Sequence, residues 1–115
     1  SWTLEENHSL LAQGGICSNF FEELVDAISN DFPDWEMYIT KFYVGFKEGT
    51  KLHLCVEGRS TKGGWLALGL SRQADEYLDP QALCQDKSIG PNMPTRVDLV
   101  DEGQIPALMK LLSQG

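Results

Sequence analysis

No run of apolar residues in this chain extends beyond a few positions, so none is long enough for a membrane-spanning helix, which needs about 20. The first residues, Ser1-Trp2-Thr3-Leu4-Glu5-Glu6, lack the basic start and apolar stretch of a secretory signal, and also an initiator Met. The expectation is a single domain over residues 1–115, excised from a longer cytoplasmic protein. Histidine is scarce, at two residues, and the three cysteines, Cys17, Cys55 and Cys84, are odd in number and far apart. No Cys-x-x-Cys or similar ligand spacing occurs, so no metal or other cofactor is expected. A disulfide framework would want an even count, so reduced thiols in an intracellular protein are expected.

Basic residues are absent from the first forty positions, which hold eight acids. Residues 41–62 reverse the balance: Lys41, Lys47, Lys51, Arg59 and Lys62 face only Glu48 and Glu57. The net charge is −8. Such a surface repels nucleic acid at long range, which leaves nucleic acid a disfavoured partner, with the basic middle segment as the local exception. The same acidity suits a nucleic-acid mimic or a dock for a basic partner.

What is present is an ordinary globular content, 42% hydrophobic and 23% charged, in 115 residues, enough for one core. Thr3-Leu4-Glu5-Glu6 has the spacing of a capping box and predicts a helix to about Leu11, stopped by Gly14-Gly15. Ile16, Phe20, Leu24 and Ile28, widened by Phe21 and Val25, predict an amphipathic helix over 16–30. From Trp35 to Leu70 the period becomes two. Phe42, Val44 and Phe46 share one face, as do Leu52, Leu54 and Val56, and then Leu66, Leu68 and Leu70. Trp35–Ile39 reads as a leading strand, Asp79-Pro80 as the start of a short helix to Cys84, and Thr95–Val100 as a last strand. A helix over 104–113 closes the chain. These elements predict an α+β fold: an antiparallel meander of four to five strands, with the N- and C-terminal helices packed on one face.

The opposite face is then open, and alternation places Lys41, Tyr43, Lys47, His53, Cys55 and Trp65 on it. Cations among aromatic rings can hold a phosphate by charge while a ring stacks on a base or sugar. The plainer reading is solvated lysines, with Tyr43 and Trp65 paired across strands or covered by residues 71–94. The loop Gly58–Gly64 adds Arg59 and Lys62 but lacks the glycine and lysine spacing of a Walker-type loop. His53 and Cys55, two apart on one strand face, have the elements of a thiolate nucleophile without an orienting third residue.

The strand Thr40-Lys41-Phe42-Tyr43-Val44-Gly45-Phe46-Lys47 resembles that of a small domain-of-unknown-function family labelled "predicted transport protein". Gly64–Leu70, Leu78-Asp79-Pro80 and Asp86–Gly90 are similar in order, and the likeness spans nearly the whole chain. Where that family carries Gly-His-Trp-Gly, this chain has Gly90-Pro91-Asn92-Met93-Pro94. The resemblance implies a protein found alone or at the C-terminus of nuclease- and restriction-like proteins, and points to Thr40, Lys41, Tyr43 and Lys47. The functional reading is a non-enzymatic binding or interaction domain, an accessory module of a nucleic-acid-processing or defence protein. Its open sheet face, with Lys41, Tyr43, Lys47, Trp65, Arg59 and Lys62, would meet a protein partner or a phosphate-bearing ligand. The alternative is a small enzyme or nucleotide-binding unit built on His53, Cys55 and the Arg59–Gly64 loop.

Overall fold

In the computed structural model, which describes residues 1–115, the Thr3 hydroxyl accepts from the Glu6 amide at 3.1 Å, as the capping spacing requires. The reciprocal bond comes from Asn7 rather than Glu6, its Oδ1 accepting from the Thr3 N–H at 3.0 Å. The helix α1 is accordingly one turn, Leu4–Asn7, and not the longer helix to Leu11. Turns carry the chain from there to α2, Ser18–Asp31. Phe20, Phe21, Leu24 and Ile28 are buried on its inner stripe, while Glu22, Glu23 and Asp26 face water. Ile16, expected on that stripe, precedes the helix and is exposed. Cys17 is buried there instead, with its thiol 3.3 Å from the Arg59 carbonyl oxygen.

Six strands follow: β1 Glu36–Ile39, β2 Val44–Glu48, β3 Lys51–Arg59, β4 Trp65–Leu70, β5 Cys84–Gln85 and β6 Thr95–Leu99. They form one antiparallel sheet in the order β1-β2-β3-β4-β6-β5. The α+β class is as the periodicity predicts, with one strand more than the largest expected count. That strand, β5, replaces the short helix expected after Asp79-Pro80. Both Asp79 carboxylate oxygens accept backbone amides, from Leu83 at 2.9 Å and Cys84 at 2.8 Å. Those bonds, with Ala82 at φ 53°, make a tight turn in place of a helix.

Val44, Phe46, Leu54, Val56, Leu66, Leu68, Leu70, Val97 and Leu99 form the inner face of the sheet, and α2 and α3 (Ile105–Leu112) cover it in one core. Phe42 is not part of that face. The Thr40 hydroxyl accepts from the amides of Phe42 and Tyr43 at 3.3 and 3.1 Å, closing a turn before β2 begins. Phe42 projects from that turn and is 75% exposed.

One irregularity decides which side chains reach which face. Phe46 pairs with Leu54 but Lys47 pairs with Leu52, so His53 is the extra residue of a β-bulge. Before the bulge Leu52 lies on the helix-free side, where it packs beside Tyr38 over Gly45. After it Leu54 points into the core.

Candidate binding surface

The middle of the helix-free face is covered rather than open. The segment Ser88–Pro94 folds over it, tied by the Ile89 N–H donating to the Met93 carbonyl at 3.1 Å, and buries the Ile89 and Met93 side chains. Two glycines allow the approach. A Cβ on Gly69 would stand 2.4 Å from the Ile89 carbonyl oxygen, and one on Gly90 would stand 3.0 Å from Cys55 Sγ. Cys55 is fully buried beneath this segment. Burial, reinforced by the Glu57 charge, pushes its thiol up to about 12, the reverse of what a nucleophile needs.

His53 does not meet Cys55, contrary to the shared face that alternation predicts. The bulge turns the imidazole to the helix side, where it stacks on Trp35 and its Nε2 lies 3.2 Å from Glu48 Oε1. A histidine and cysteine two positions apart share a face only in a regular strand.

The expected site residues fall into separate groups. Lys47 lies over the Tyr38 ring at 4.8 Å, and the Tyr38 and Tyr43 hydroxyls are 3.0 Å apart. Burial and that Tyr38 contact raise the Tyr43 phenol well above its ordinary range. Trp65 is half-buried, its indole N–H donating to Thr61 Oγ1 at 2.9 Å and the Arg96 guanidinium lying over its ring. Arg96 is held by Asp98 at 2.6 Å, and Arg59, which pairs with Trp65 across the ladder, is held by Glu57 at 3.1 Å. Lys62 is exposed, at φ 53° in the turn 61–63.

Lys41 and Arg59 do converge, on a cavity of about 350 Å³ where β3 extends past the start of β2. Phe42 and the stretch Asn7–Leu11 line the rest of it, with Glu57 and Gly58 beside Arg59. His8 fixes the arrangement, its Nε2 donating to the Thr40 carbonyl at 2.7 Å and so tying the N-terminal turns to the Thr40–Tyr43 turn. Exposed Lys41 lies 5.5 Å from the centre of the Phe42 ring. Sequence reasoning missed Phe42, His8 and Tyr38 as surface-forming residues. His8 and Thr40 are 32 positions apart, and no local pattern announces such a contact.

The chain matches no family model, no curated protein and no solved structure. The resemblance drawn from Thr40–Lys47, Gly64–Leu70, Leu78-Asp79-Pro80 and Asp86–Gly90 therefore rests on the sequence alone.

Proposed function

We propose that this chain is a non-enzymatic binding domain and that the cavity between Lys41, Phe42 and Arg59 takes a phosphate-bearing group. The observation that carries this reading is the meeting of two cations and an exposed aromatic ring at one concavity of a protein that is otherwise acidic. Lys41 supplies a flexible point charge, Arg59 a planar donor oriented by Glu57, and Phe42 a face for a flat ring. With a net charge of −8, a small phosphorylated ligand or a single phosphate on a partner suits the surface better than a polyanion does.

The test is a titration with inorganic pyrophosphate and with a nucleoside triphosphate at low salt, followed by backbone amide shifts. Shifts should cluster at Asn7–Ser9, Lys41, Phe42 and Arg59. Each charge-assisted hydrogen bond contributes about 1.5–3 kcal/mol, so Lys41→Ala and Arg59→Ala should each weaken binding at least about tenfold. Absence of any shift at millimolar ligand would remove the proposal.

A further inference from the structure

The cavity between Lys41, Phe42 and Arg59 also presents acceptors that a phosphate cannot use. Its wall includes Gly58, at the point where β3 outruns β2. Thr40 donates its N–H to the Tyr43 carbonyl at 3.0 Å, which makes Thr40 and Tyr43 a hydrogen-bonded pair. By the alternation of antiparallel ladders, Val44 and Val56 then bond to each other and Glu57 bonds to β4. Gly58 turns its main chain back to the β2 side. No strand meets it there. Strand β2 begins at Val44, and Phe42, which the register places opposite Gly58, projects from the Thr40–Tyr43 turn. The Gly58 N–H donates to no group of that turn, and its carbonyl takes only a 3.4 Å contact from the Arg59 guanidinium. Glu57 beside it is half-buried, its Oε1 accepting from Arg59 at 3.1 Å and its Oε2 without a protein donor.

Each of these groups narrows the ligand. A carboxylate accepts hydrogen bonds and donates none. Inorganic phosphate leaves the acceptors unused and is repelled by Glu57. A phosphorylated phenol supplies a ring and a phosphate but no donor on the ring. A nucleotide supplies all three, its base stacking on an aromatic side chain and bonding through its pairing edge. Among the common bases, only guanine sets two adjacent N–H donors, N1 and the 2-amino group, beside one acceptor, O6. That edge is the complement of one main-chain N–H followed by two acceptors.

We propose that the ligand of this cavity is a guanine nucleotide. The Gly58 N–H donates to O6, and the Gly58 carbonyl and Glu57 accept from N1–H and the 2-amino group. The base lies against Phe42, and Lys41 and Arg59 hold the phosphates. The volume of about 350 Å³ falls within the range of small-ligand sites, about 300–1,000 Å³. This assignment rests on the phosphate reading of the cavity and adds to it the identity of the base.

The experiment titrates the isotope-labelled chain at low salt with guanosine, adenosine and inosine diphosphates and with inorganic pyrophosphate. Guanosine diphosphate should bind at least about tenfold tighter than the adenosine compound, and than the inosine compound, which lacks only the 2-amino donor. Its shifts should include the Gly58 amide along with Lys41, Phe42 and Arg59. Glu57→Gln keeps the size of the side chain but turns one acceptor oxygen into a donor. It should bring guanosine diphosphate down to the level of the adenosine compound without weakening pyrophosphate. Equal binding of the three nucleotides while pyrophosphate still binds would overturn the guanine assignment and leave the phosphate site standing. So would a preference that survives Glu57→Gln, or a Gly58 amide that does not move. No response to any of the four at millimolar concentration would remove the phosphate site and this assignment with it.

Discussion

The indole of Trp35 lies flat against the imidazole of His53, ring centroids 4.2 Å apart and planes within 6°. Phe32 stacks on the other face of the indole at 4.1 Å, so three rings join the end of α2 to the bulge in β3. A stacked pair contributes roughly 0.5–1.5 kcal/mol beyond its buried area. His53→Ala should therefore lower unfolding stability by about 1 kcal/mol or somewhat more, read from urea denaturation, with Trp35 emission moving to the red. An unchanged midpoint and emission would show that the stack contributes nothing.

Gly69 tests the covering segment. A methyl group there meets a backbone oxygen, which has no rotamer by which to yield. Gly69→Ala should cost about 1–3 kcal/mol and lift Ser88–Pro94, so that Cys55 reacts faster with a thiol reagent than in the parent protein. Equal rates would mean that the segment does not shield Cys55.

Burial raises the Cys55 thiol from 9.0 to about 12. A folded-state value raised in this way favours the folded form while the thiol is protonated in both states. That contribution is complete below the unfolded value and disappears as pH climbs from about 9 toward 12. The urea midpoint of the parent should thus fall more steeply above pH 9 than that of Cys55→Ala, and Cys55 should alkylate slowly at pH 7.

Glu23, on the exposed side of α2, is raised above its ordinary value by a hydrogen bond with Glu102 and by repulsion from the same carboxylate. The sign is again that of a raised group: the pair favours folding when Glu23 is protonated and opposes it once both carboxylates ionise. Glu23→Gln should raise the melting temperature at pH 7, and the gain should shrink toward pH 4. A gain independent of pH would assign the effect to something other than this pair.

Periodicity made the aliphatic core legible. Val44, Phe46, Leu54, Val56, Leu66, Leu68 and Leu70 all lie on the predicted inner face, because a strand flanked by helices must bury one side. It failed where strand geometry departs from two residues per repeat. His53 counts as one more alternating residue in sequence, yet as a bulge it reverses everything on its N-terminal side. Phe42 likewise extends the Val44 and Phe46 pattern, but the Thr40 hydroxyl captures the next amides and ends the pattern early. The covered sheet centre was partly legible. Gly69 and Gly90 signal close approach, but nothing periodic in Ser88–Pro94 identifies Ile89 and Met93 as the residues that arrive. Of the surface residues, Lys41 and Arg59 were readable as cations; their meeting depends on His8 anchoring a distant turn.

The bulge gives β3 a footing in both layers of the molecule. Leu52 grips the Tyr38 side and Leu54 the helical side, although only one residue separates them. Sliding this strand by one step would strip both anchorages together, so the β2–β3 hairpin has a built-in ratchet against misalignment. Its central amides should be among the last to surrender their protons to deuterium.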